Sequence, residues 1–122
     1  MVDRNAELNP ITNELQDVNK EAHTPVRKHF NSLIYATGEK VWETFEPAGE
    51  VYTLDELQGA VGGYIEIIYL SNMFHEYLMV IDEEGKVKGK AMNMFATQLA
   101  ESELGGDVIV GDVVVCRREL ID

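Results

Sequence analysis

Leu8, Ile11, Leu15, Val18 and Ala22 recur at alternating spacings of three and four residues, which places them on one stripe of a helix. Asn9-Pro10 supplies an N-cap followed by proline at the first helical position, and the ring of Pro25 disfavours helical geometry at Thr24. The spacing therefore predicts an amphipathic helix from about Pro10 to Ala22. A helix this short is marginal alone, so it must pack on the rest of the chain or on a second copy.

Past a connector over 26–31 the period changes to two. Ser32 to Thr37 and Lys40 to Glu46 read as strands on either side of Gly38, and the mixed faces of the second predict an edge strand. Thr53-Leu54-Asp55-Glu56 has the form of a capping box, which starts a helix over 54–61 with Leu54, Leu57 and Val61 inward. Gly62-Gly63 then gives the left-handed exit. Tyr64 to Leu70 is rich in β-branched and aromatic residues and predicts a central strand. Tyr77 to Asp82 and Val87 to Lys90 read as a hairpin around Glu83-Glu84-Gly85-Lys86. Asn93 caps a second helix that runs to about Glu103, with Phe95, Leu99 and Ala96, Ala100 on inward rows, and Gly105-Gly106 ends it. Asp107 to Cys116 is a last β-branched run, with a bulge or bend expected at Gly111-Asp112.

Together these elements predict an α+β fold. A single mostly antiparallel sheet has about five strands, near 32–37, 40–46, 64–70, 77–82 and 107–116. It is covered on one face by two short helices, at 54–61 and 93–103, and an N-terminal amphipathic helix is added. The expected core is Leu54, Leu57, Val61, Ile65, Ile67, Leu78, Val80, Phe95, Leu99, Ile109 and Val114. Residues 1–30 form the N-terminal helix and connector, and 31–122 the compact α+β domain.

Charge sharpens that boundary. The 122 residues carry 22 acidic and 10 basic side chains, a net charge of -12. Residues 1–30 contribute -1 and residues 31–122 contribute -11. With 45% hydrophobic residues there is enough apolar material for one core. The acidic balance argues against direct nucleic acid binding, because like charge repels and no basic stripe exists to release counterions. No apolar run reaches the roughly 18 residues of a membrane span, and the N-terminus lacks the apolar core of a signal peptide. The single cysteine, Cys116, fits a reducing compartment. A soluble, cytoplasmic protein with no membrane contact is the expectation. The apolar stripe over residues 8–22, in an N-terminal segment of charge -1, predicts a homodimer, the competing arrangement being that this helix covers the open sheet face of its own domain.

From Leu54 onward the chain resembles the uncharacterised family of phage- and plasmid-associated domains known as domain of unknown function 3846. The residues that carry the resemblance are Leu57, Gln58, Val61, Gly62, Gly63, Tyr64, Ile65 and Glu66, then the turn Glu83-Glu84-Gly85-Lys86, then the closing segment 107–116. Where the family often shows Gly-Leu-Pro-Leu-Asn, this chain has Gly89, Lys90, Ala91, Met92 and Asn93, keeping the Asn and losing the proline. The resemblance implies a mobile-element context, with the host cytoplasm as location if the chain is phage-encoded, and assigns no catalytic residue.

The chemistry rests on the residues themselves. Glu66 is a carboxylate on a half-buried strand face, read first as solvent-facing or ion-paired and second as a ligand contact or general base. Gln58 and Asn93 read first as backbone cross-link and N-cap. The three histidines lie outside any nucleophile motif, and the glycine pairs lack phosphate-loop spacing. Cys116 reads as a buried hydrophobe unless Arg117-Arg118 activate it. Asp82-Glu83-Glu84 reads as a solvated charge run, not a metal site. No catalytic residue, metal or cofactor is expected. The favoured binding surface gathers Gln58, Gly62, Gly63, Tyr64, Glu66 and Asn93 around the glycine turn, where backbone lies bare and a helix ends. The favoured function is a small non-catalytic accessory protein that binds a host protein or small ligand. The alternatives are an acidic DNA mimic that blocks a nucleic-acid enzyme, and a small-substrate enzyme using Glu66 or Asp112.

Overall fold

The computed structural model describes residues 30–71 and 74–122. The expected helix over 10–22, its end at Pro25 and the dimer seam over 8–22 lie outside the described residues. Within them the elements run β1 (Ser32–Ile34), β2 (Trp42–Thr44), α1 (Leu54–Val61), β3 (Ile65–Tyr69), β4 (Tyr77–Asp82), α2 (Met94–Leu99), α3 (Glu101–Leu104) and β5 (Val113–Arg117), closed by a 3-10 turn over Arg118–Leu120. The strands form one five-stranded sheet of order β2-β1-β5-β4-β3 in which every pairing is antiparallel. The fold is α+β.

Strand alternation divides the core into two clusters. Ile34, Tyr77, Met79, Val113 and Val115 point to one side of the sheet, where Ala96, Ala100, Phe95, Leu99 and Leu104 of α2 and α3 meet them. Leu33, Leu78, Val80, Val114 and Cys116 point to the other, against Leu57 and Val61 of α1 and against Tyr52. The helices therefore cover opposite faces of the sheet, not one face as expected, and the single helix expected over 93–103 is two, divided at Ala100. The three central strands are buried on both sides, so β4 and β5 read as nearly continuous apolar runs.

Three further expectations are corrected. β3 is an edge strand, and β5 takes the central place. Residues 87–90 form no strand. Instead the chain coils through turn hydrogen bonds from Lys88 N to Glu84 O, Gly89 N to Lys86 O and Lys90 N to Gly85 O. Leu54 is 56% exposed, because the core position at that end of α1 is filled by Tyr52, which stacks on Phe45 and donates its hydroxyl to the Phe45 carbonyl. The bend at Gly111 is present. Its φ of +79° and the bridge between Met92 and Val110 separate the irregular stretch 107–112 from β5. No helix among the described residues is long and apolar enough to cross a membrane.

Candidate functional site

Thr53 and Glu56 make the capping box reciprocally, with Glu56 N donating to Thr53 Oγ1 at 3.1 Å and Thr53 N to Glu56 Oε1 at 2.7 Å. The helix they start ends at Gly62, whose φ of +83° is the left-handed conformation that a Cβ disfavours. Both glycine amides reach back to the Gln58 carbonyl, at 2.8 and 3.3 Å. The last turn of α1 contains no base, yet its carbonyls face two. Lys90 Nζ donates to Val61 O at 2.7 Å and Lys88 Nζ to Gly62 O at 3.1 Å. Cations at a helix C-terminus oppose the negative end of the helix dipole, and here they arrive from a distant turn.

Both lysines also hold Asp82, at 2.9 Å from Lys88 and 2.7 Å from Lys90, and the Asp82 side chain is wholly buried. Burial would raise this carboxyl, but hydrogen bonds from Lys90, Lys88 and the Glu84 amide overcome that and hold it at about 2. The 82–84 acids are thus not one solvated run. Asp82 is internal, while Glu83 and Glu84 are exposed. Gly63 packs directly under this cluster, since a Cβ there would lie 2.5 Å from Lys88 Nζ and 2.7 Å from Asp82 Oδ1. Sequence reasoning missed the Asp82, Lys88 and Lys90 cluster. The signal was present: Asp82 continues the inward row of Leu78 and Val80.

Asn93 is also internal. Its Oδ1 accepts from Ala96 N at 3.0 Å, and its Nδ2 donates to Ile34 O at 3.1 Å and Gly111 O at 2.9 Å. One side chain thereby caps α2 and ties it to β1 and to the bend before β5. Asn93 therefore leaves the proposed binding surface. Cys116 is buried and burial pushes its thiol up to about 12. The adjacent arginines do not activate it, as Arg117 pairs with Glu76 and Glu119, and Arg118 donates to the Leu70 carbonyl and lies over the Tyr69 ring.

Two concavities flank the glycine turn. One, of about 290 Å³, lies on the α2 and α3 side of β3. Half-buried Ile68, Ile81, Leu104, Val108 and Val110 line it together with exposed Glu66, Glu83, Lys86 and Asp107. The other, of about 360 Å³, is more open and is lined by Ala36, Gly62, Lys90, Gly111 and Asp112, among others. Asp112 Oδ1 accepts from Ala36 N at 2.9 Å. Of the six residues expected to converge, Gly62 belongs to the second groove and Glu66 to the first. Gly63 is packed against Asp82, Tyr64 is exposed just before β3, and Gln58 is half-buried on α1. The structure does not unite them in one site. Among the described residues no group of three or more His, Cys, Asp or Glu side chains is placed to hold a metal ion.

A family model described as "Domain of unknown function (DUF3846)" matches residues 32–120. No curated protein and no solved structure matches the chain.

Proposed function

The chain belongs to the DUF3846 family of domains of unknown function, and we propose that it is a non-catalytic accessory protein of a phage or other mobile element that acts in the host cytoplasm by binding a host protein or small ligand. The observation that carries this reading is the groove beside β3. It joins an apolar lining to exposed acids, while the polar groups around the glycine turn are held in internal bonds. A concavity of this size with a few placed polar groups is suited to a side chain cluster or a small molecule.

The test is capture of host proteins on the immobilised full chain, wild type against Glu66→Lys and Val108→Asp. A host protein retained by the wild type and lost by both variants, with thermal midpoints unchanged, is the expected result. Retention indifferent to both substitutions overturns it. One observation favours the DNA-mimic reading as a second reading: the net charge of residues 31–122 is -11, and all six bases counted in it are engaged by partners within the domain, so no free basic side chain among the described residues interrupts the acidic surface. Displacement of the captured protein by duplex DNA would select that reading.

A further inference from the structure

The two edges of the sheet are built differently. β2 has three residues, and Lys40 beside it pairs with Glu43 on the strand itself. Short, charged edges of this kind resist further pairing. β3 has five residues, IEIIY, with Glu66 the single charge among four large apolar side chains. Among the described residues no strand pairs with its outer side.

The hydrogen-bond pattern fixes which groups that side offers. β3 and β4 pair with Ile65 opposite Asp82 and Tyr69 opposite Leu78. Glu83 N donates to Tyr64 O at 2.8 Å and Leu70 N to Tyr77 O at 3.3 Å. In an antiparallel ladder bonded pairs alternate with non-bonded ones, so Tyr64, Glu66, Ile68 and Leu70 bond to β4. Ile65, Ile67 and Tyr69 then direct their N–H and C=O groups to the free edge. Side chains alternate the other way. Glu66 and Ile68 face the 290 Å³ groove, and Ile65 and Ile67 face the α1 side.

We infer that the β3 edge takes an extended basic segment of a partner protein as a sixth strand. The inference rests on the reading of this chain as a binding protein and specifies the chemistry of the partner. An added strand would satisfy the outward groups of Ile65, Ile67 and Tyr69, the main-chain mode by which exposed sheet edges recognise peptides. Cross-strand neighbours then select its side chains. Positions on the groove side meet Glu66, with Glu83 in the same groove, and so favour Lys or Arg, while Asp107 there is already paired with Lys86. Positions on the other side meet Ile65 and Ile67 and favour Val or Ile. Arg118, over the Tyr69 ring, closes the far end of the edge, so the basic residues belong at the Glu66 end. A second copy of this chain is a poor occupant, since each brings the same net charge of -12 and would set Glu66 near its mate.

The experiment is amide hydrogen exchange on the full chain with two seven-residue probes, one alternating lysine and valine, the other glutamate and valine. The expected result is slowing of the Ile65, Ile67 and Tyr69 amides by about tenfold or more with the basic probe alone. Glu66→Lys should abolish that slowing. Tyr69→Pro, which removes an outward N–H that β4 does not use, should abolish it too, whereas Tyr69→Ala should keep it at Ile65 and Ile67. No slowing, equal slowing by the acidic probe, slowing at Trp42–Thr44 instead, or protection that rises with protein concentration through self-pairing would each overturn the inference. If the edge amides stay unprotected while groove substitutions still release a captured host protein, the binding function stands and the sixth strand falls.

Discussion

The turn at Gly62-Gly63 and the strand that leaves it are neighbours in sequence, yet their surroundings use polar groups in opposite ways. At the turn, Asp82, Lys88 and Lys90 are engaged with one another or with backbone carbonyls, and Asn93 bonds the carbonyl of Gly111, which lines the second groove. Along β3, Glu66 takes part in no ion pair among the described residues, and Tyr64 just before the strand is 66% exposed. A cluster of charged residues beside a glycine pair therefore marks scaffolding in this domain, and the sparsely charged edge marks the accessible surface. Stability should respond to substitution at the first region and binding to substitution at the second.

The largest effect is expected at Asn93. Asn93→Ala removes the cap of Ala96 N and leaves the Ile34 and Gly111 carbonyls without their buried donor, a loss of about 3 kcal/mol in urea unfolding. A change below about 1 kcal/mol would mean that these bonds do not tie α2 to the sheet.

Next comes acid. The folded-state carboxyl of Asp82 lies at about 2, below its ordinary value of 3.8. Its contribution is therefore fully present above about pH 5 and is lost as pH falls through 4 toward 2, by about 2 kcal/mol. Unfolding midpoints at pH 6, 4, 3 and 2 for wild type and Asp82→Asn check this. The gap between the two proteins should narrow on acidification. A gap that stays constant would remove Asp82 as its source.

These two residues also show what was legible in the sequence. Helix starts were readable because capping is local: Thr53 with Glu56, and Asn93 with Ala96, sit three residues apart. The strands were readable from alternation, and the bend at Gly111 from a glycine that interrupts a β-branched run. Strand order was not, because composition ranks Tyr64–Leu70 as buried while long-range pairing gives the centre to β5. The placement of α1 and α2 on opposite faces depends on the same pairing. Val87–Lys90 looked like half a hairpin because the turn bonds that coil it, and the pull of Lys88 and Lys90 toward Asp82 and α1, act across residues that no local pattern connects. The site was legible only in part. The glycine turn and Glu66 were found, but the expected convergence failed because Asn93 turns inward.

A pair of glycines sharpens the contrast at smaller magnitude. Gly63→Ala forces a methyl against Lys88 Nζ and Asp82 and should cost about 1 to 2 kcal/mol. Gly59→Ala, inside α1 with nothing within 4 Å of the added carbon, should instead stabilise by about 0.5 to 1 kcal/mol. Thermal midpoints of the two variants moving in the same direction would contradict the packing at the turn.

The smallest effect on stability is expected at Glu66. Its side chain is exposed on an edge strand, so Glu66→Gln breaks no internal bond and takes one negative charge from a domain of -11. The two consequences oppose each other weakly: an amide is marginally worse solvated, and repulsion among the remaining acids is slightly relieved. The unfolding free energy should shift by less than about 0.5 kcal/mol. Binding should respond differently, because a basic residue laid against the groove would exchange a charged hydrogen-bond partner for a neutral one of the same shape. Retention of the captured partner should fall several-fold at low salt, and the difference from wild type should shrink as salt screens the pair. Should Glu66→Gln instead lower the stability by more than about 1 kcal/mol while the folded molecules bind as before, Glu66 belongs to the scaffold with Asp82 and Asn93, and the β3 groove should be abandoned as the site.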